Sequence, residues 1–131
     1  MDAEELASVP FFSALSPDAL EAVAGYAERI EVPEGTQRAG QEQHGYLFFV
    51  IEDGRAAVVQ DDRELRTLGS GDFFGEVALL RTGDRTASVI ARTPTRLITV
   101  TEAAFKRLVE SDPAAARQCE AAISERWAAQ A

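Results

Sequence analysis

The chain has 131 residues, 46% of them hydrophobic and 27% charged, enough for one globular domain with a real hydrophobic core. Its 22 acidic residues outnumber 13 basic ones, for a net charge of -9, and Lys106 is the only lysine. Nucleic acid and anionic membrane surfaces both demand clustered cations, so neither is expected as a partner.

The single cysteine, Cys119, excludes an internal disulfide and a thiolate zinc cluster, and is read as a small apolar residue of a helix. The first twenty residues carry acids in place of a basic leader. No apolar run approaches the ~20 residues that span a bilayer, so the expected location is cytoplasmic.

Residues 2–8 read as a short helical turn ending before Pro10, with Phe11, Phe12 and Leu15 as core anchors. Ser16-Pro17-Asp18 starts a helix: Ser16 caps, Pro17 suits the first turn and Asp18 complements the dipole. Leu20, Val23, Ala24 and Ala27 share one face of a helix predicted to run to about Glu28. From Ile30 the period becomes two, and Pro33-Glu34-Gly35 is a turn. Tyr46 to Ile51 is a continuous apolar run of strand length. Asp53-Gly54 is a hairpin signal with Ala56 to Val59 as the return strand, and Asp61-Asp62 turns the chain again towards Leu65 and Leu68.

Ser88 to Ala91 and Leu97 to Val100 read as two further strands joined through Thr93-Pro94. Thr101 caps a helix whose apolar face is Phe105, Leu108 and Val109. Ser111-Asp112-Pro113 stops that helix and starts another. Ala116, Cys119, Ile123 and Trp127 form a single stripe on the last one. Many short strands between flanking helices predict a mainly β domain, a small sandwich or jelly-roll barrel.

The chemistry concentrates in Gly71-Asp72-Phe73-Phe74-Gly75-Glu76-Val77-Ala78-Leu79-Leu80 and in Asp84-Arg85-Thr86-Ala87-Ser88-Val89. Gly75 lets a ligand approach the backbone, and a short helical turn after it presents amide N–H groups. Arg85 offers a planar fork of donors to a phosphate, and ionised Glu76 accepts from hydroxyls. A ribose phosphate, above all a cyclic one, satisfies all three. A Glu76–Arg85 pair on a solvated rim satisfies the two charges equally well, and the residues alone leave both readings open. Gly69-Ser70-Gly71 with Gly75 does not match the dinucleotide fingerprint, and no P-loop is present. His44, the only histidine, lies in a polar loop and cannot supply a metal-ligand set or a hydrolytic triad.

These two segments resemble the phosphate-binding cassette of the cyclic nucleotide-binding domain family, which includes catabolite activator proteins and cyclic AMP-dependent kinase regulatory subunits. Val32-Pro33-Glu34-Gly35-Thr36, Gly40, Gly45 and Tyr46 to Gly54 sit where that family's β-roll strands and glycines lie, and Thr101 to Leu108 resembles its following helix. The resemblance implies an eight-stranded jelly-roll or β-roll with an N-terminal helix and two C-terminal helices. It implies one domain over 1–131: helical to residue 28, roll and cassette over 29–100, helices over 101–131. It further implies that Glu76 accepts the ribose 2′-hydroxyl, supported by the Gly75 backbone, and that Arg85 pairs with the phosphate. Ala78 and Thr86 would donate amides to it, Val77 and Leu79 would line the pocket or pack beneath it, and Ala87 would complete the ligand-binding set. In that family a residue of the last helix can cap the base, a role open to Ile123 or Trp127; the other reading of this stripe is packing on the roll or on a dimer partner.

The ligand implied is cyclic AMP, with cyclic GMP permitted by Thr86, and no cofactor or metal is called for. The implied role is a non-enzymatic sensor that signals by movement of its C-terminal helices, to a protein effector or within a homodimer. Asp84, where many members carry proline, departs from the pattern. It keeps open the alternative of a same-fold protein-interaction module with weak or lost nucleotide binding.

Overall fold

A computed structural model of the chain describes residues 1–39, 47–77, 79–80 and 87–130; the side chains of 38, 39 and 126–130 fall outside that description. Three short helices come first: α1 (Ala3–Ala7), α2 (Pro10–Ser13) and α3 (Pro17–Ala24). Eight strands follow among the described residues: β1 (Ala27–Val32), β2 (Gln37–Ala39), β3 (Leu47–Asp53), β4 (Ala56–Gln60), β5 (Arg63–Leu68), β6 (Phe73–Phe74), β7 (Ser88–Ala91) and β8 (Thr95–Thr101). Two helices, α4 (Glu102–Ser111) and α5 (Pro113–Gln130), close the described chain. The mainly β architecture with flanking helices is as the sequence predicts. The N-terminal helical part is three pieces, because Pro10 opens α2 after Val9 and Pro17 opens α3 after the Ser16 cap.

The strands form two antiparallel four-stranded sheets, ordered β1-β8-β3-β6 and β2-β7-β4-β5. The unbroken apolar run of β3 has a simple cause: both of its faces are covered. Phe48 and Val50 point into a helix-side core with Leu6, Phe11, Phe12, Ile98, Val100, Phe105 and Leu108. Phe49 and Ile51, one residue out of phase, point between the sheets with Val58, Leu68, Phe74, Val89 and Leu97. Ring pairs lock each side: Phe48 stacks on Phe105 at 4.2 Å, and Phe49 on Phe74 at 4.6 Å. On the solvent side of the first sheet, Arg29 Nε donates to Glu52 at 2.7 Å and Arg29 Nη2 at 2.9 Å. The Arg29 hydrogen bond holds the Glu52 carboxyl below its ordinary range.

Two sequence expectations need correction. The helix over 17–28 ends at Ala24 with Gly25 as its C-cap, and Ala27 opens β1, paired with Val100. Asp53-Gly54 does not make a hairpin: β3 pairs with β6 and β8, whereas β4 pairs with β5 and β7. The chain instead turns a corner from one sheet to the other. Gly54 has φ +108°, and an added Cβ there would meet Thr95 Oγ1 at 2.7 Å and the Pro94 carbonyl oxygen at 2.8 Å. The Thr93-Pro94 link crosses between sheets at the same corner, where the Arg55 N–H donates to Thr93 Oγ1 at 3.0 Å.

The true two-residue hairpin is at Asp61-Asp62. Gln60 pairs with Arg63, and both aspartates have positive φ (51° and 64°), the type I′ pattern that matches strand twist. Ser16 and Thr101 cap α3 and α4 as predicted, through the Ala19 and Ala104 amides. On α5 the buried stripe is Ala115, Cys119 and Ile123, with Ala116 at its border. No helix among the described residues is long and apolar enough to cross a membrane.

Candidate functional site

The segment singled out by its chemistry leaves the first sheet at β6. The Ile51 N–H donates to the Asp72 carbonyl and the Gly71 N–H to the Ile51 carbonyl, each at 2.8 Å, so the approach to β6 is stitched to β3. Asp72 closes its own turn by accepting from the Gly69 N–H at 2.8 Å. Phe74 is then buried between the sheets. Gly75 follows with φ +99°, a conformation that side chains resist. Glu76 and Val77 are helical, and the Leu79 N–H reaches back to the Gly75 carbonyl at 3.3 Å, closing one helical turn. Leu79 packs into the helix-side core.

Glu76 is fully buried, at 0% exposure. A carboxylate in that position is costly unless donors meet it, which marks it as a built feature. Val77 and Leu79 are buried at 8% and 6%. Ala87 is buried in the same inter-sheet core as Phe74. Both ends of the segment 75–86 are therefore fixed by one core, and Arg85 lies two residues before that second anchor in the sequence. Ala78, Arg85, Thr86 and Asp84 lie outside the described residues, as do His44, Gly40 and Gly45.

Ile123 lies on the buried side of α5, at 6% exposure, in line with Ala115 and Cys119. Trp127 is in the α5 backbone, its side chain outside the description. Sequence reasoning missed a cleft of about 580 Å³ between the roll and α5, in which Arg66 and Phe73 face Gln118, Ala122 and Glu125. The sequence reading followed the chain from Asp61-Asp62 to Leu65 and Leu68 and left Arg66 unread. No cluster of three or more metal-ligating side chains occurs among the described residues.

The model of the cyclic nucleotide-binding domain family matches residues 29–112, from β1 to the start of α5. Among curated proteins, the chain is 33% identical over 104 residues to a cAMP-dependent protein kinase regulatory subunit of Hypocrea atroviridis, covering 79% of this chain and 22% of that one. It is 38% identical over 112 residues to the cGMP-dependent protein kinase, isozyme 1, of Drosophila melanogaster, covering 79% of this chain and 15% of that one. The chain thus spans under a quarter of the length of these curated relatives. Among solved structures, the catabolite activator protein of Thermus thermophilus superposes with a TM-score of 0.75 at 27% identity, over 90% of this chain and 58% of that one. The sensor domain of a transcriptional regulator from Pseudomonas aeruginosa superposes at 0.79 with 20% identity, over 95% and 92%, a likeness of fold. The chain belongs to the cyclic nucleotide-binding domain family.

Proposed function

We propose that this domain is a sensor of cyclic AMP, with cyclic GMP as the second ligand that Thr86 permits, and that it signals by moving its C-terminal helices. The observation that carries this reading is the fully buried Glu76, set directly after the positive-φ Gly75 in a segment anchored at Phe74 and Ala87. Glu76 accepts the ribose 2′-hydroxyl, and its two oxygens have lone pairs to receive it. The Gly75 backbone allows the sugar to come close. Arg85 pairs with the single negative charge of the cyclic phosphate, and the Ala78 and Thr86 amides complete its hydrogen bonds. Val77 and Ala87 supply apolar wall. The base extends towards α5, where Ile123 or Trp127 closes over it. Occupation favours one of two helix arrangements, a population shift that a protein effector or a second copy reads.

Calorimetric titration with cyclic AMP, cyclic GMP and 5′-AMP tests the reading, on the unaltered chain and on Arg85→Leu. A hydrogen bond to a charged group contributes roughly 1.5–3 kcal/mol, so the variant loses at least about tenfold in affinity while it stays folded. Unchanged affinity in Arg85→Leu removes the site assignment. Binding of neither cyclic nucleotide by the unaltered chain favours the same-fold interaction module, and tight 5′-AMP binding denies recognition of the closed phosphate ring.

A further inference from the structure

Away from the nucleotide segment, α3 and α4 run side by side and leave a groove. Ala22, Val23 and Tyr26 line it from α3 and the turn after it, and Ala104, Arg107 and Leu108 line it from α4. On each side these residues recur at spacings of one helical turn, so they present one continuous face. Val23, Ala104 and Leu108 are buried and make an apolar floor. Tyr26, at 52% exposure, is the exposed large hydrophobic residue of the described chain, and it forms an end wall. The Arg107 guanidinium lies 6.0 Å from its ring centroid, a cation–π contact that fixes the charge at that end. The void is about 80 Å³. That is roughly half of the ~150 Å³ cavity that takes up benzene, so one branched aliphatic side chain fits and an aromatic ring does not.

We propose that this groove docks a helix of a partner protein. The helix inserts one leucine-sized side chain between Ala22 and Ala104 and sets a carboxylate one turn away against Arg107. Charge complementarity selects this occupant: of the described residues that line the groove, Arg107 carries the one charge, and it is positive in a chain of net charge -9. A second copy of the chain brings the same net charge of -9 and is opposed on approach. Insertion of a helix face into an apolar groove is a common recognition mode, with anchors spaced by one turn.

The probe is an Ala/Gln-based helical peptide of about 16 residues, long enough to hold a helix, with one leucine and one glutamate four residues apart. Binding to the full chain is followed by amide shifts in nitrogen–proton correlation spectra. Saturable shifts are expected at Ala22, Tyr26, Ala104 and Arg107. A peptide with lysine for glutamate binds about threefold more weakly, as an exposed ion pair allows. A peptide with alanine for leucine binds at least about tenfold more weakly. Arg107→Glu reverses the preference between the glutamate and lysine peptides. Ala22→Leu fills the groove and blocks binding, with melting temperature and cyclic nucleotide affinity unchanged. Absence of saturable shifts at these residues, equal binding of the glutamate and lysine peptides, or concentration-dependent shifts at the same residues without peptide each overturn the proposal; the last result assigns the groove to self-association.

Discussion

Replacing Asp112 by alanine removes the residue that joins three helices. Asp112 is buried, at 3% exposure. Its Oδ1 accepts from the Ala115 N–H at 3.0 Å, capping α5, and its Oδ2 accepts from the Ser16 N–H at 3.0 Å, where α3 begins. Its own N–H closes α4 on the Leu108 carbonyl at 2.9 Å. Loss of an N-cap costs about 1 kcal/mol, and loss of a hydrogen bond from a charged group roughly 1.5–3 kcal/mol. Together the substitution destabilises by about 2–4 kcal/mol, a fall in melting temperature on the order of 10 °C for a domain of this size. Asp112→Asn keeps one acceptor oxygen and turns its NH₂ towards the other donor, so it loses about half as much.

The pH dependence carries the same logic. Burial alone would raise the carboxyl, but the Ser16 and Ala115 N–H donors outweigh it and hold Asp112 below its ordinary 3.8. A depressed folded value means that the contribution is complete above the ordinary value and is lost as pH falls through the lower one. The stability gap between the unaltered chain and Asp112→Ala is therefore constant from neutral pH down to about 4 and narrows below it. Urea denaturation across that range measures the gap as a change in midpoint at constant slope. A gap under about 0.5 kcal/mol at pH 7 would falsify the claim that this carboxylate holds the helices together.

Three further outcomes are expected. Gly54→Ala combines a φ of +108° with contacts of 2.7 and 2.8 Å to Thr95 and Pro94, and it lowers stability by more than about 2 kcal/mol in urea denaturation. Asp62→Gly relieves the φ of 64° at the second position of the β4–β5 turn and raises the melting temperature by a few degrees, an effect of about 0.5–1 kcal/mol. Trp127 is the only tryptophan, so its fluorescence reports on α5 alone. Saturating cyclic AMP is expected to shift its emission with the same midpoint as the calorimetric titration, and a silent tryptophan at saturation counts against movement of the last helix.

Features fixed by near neighbours were legible in the sequence. Ser16 and Thr101 cap the helices that follow them, and Asp112-Pro113 separates α4 from α5, because each signal acts within one turn. The doubly buried β3 was legible as an unbroken apolar run. Partnering was not. Asp53-Gly54 has hairpin chemistry, yet its flanking strands pair with β8 and β7, whose sequences lie some forty residues away. Ala27 suits either a helix face or the first position of a strand, and Gly25 together with pairing to Val100 decides for the strand. At the candidate site, Gly75 and Glu76 stood out because a charge inside apolar sequence is unusual. Arg66 did not, since one charge among the polar residues of β5 carries no signal until the residues of α5 are seen across the cleft from it.

The proposed signal would pass from the site to the helices through the segment around Glu76. Phe74, before it, belongs to the core between the sheets, and Leu79, after it, belongs to the helix-side core with Phe105, Leu108, Ala115 and Cys119. Gly75 and Glu76 are thus the step between a core made of strands and one shared with α4 and α5. The sheets are held by antiparallel pairings, so in the proposed signalling a displacement at Glu76 would pass to the helix side. The start of α5 is tied there by Asp112 to Ser16 and by Gln118, whose Nε2 donates to the Phe11 carbonyl at 3.0 Å. Its later turns, at Ala122 and Glu125, also border the cleft of about 580 Å³, and Ile123 is their buried residue. Packed interfaces change between discrete arrangements, so the helix is expected to bend or re-seat beyond Gln118, with its first turns and the three N-terminal helices moving as one body.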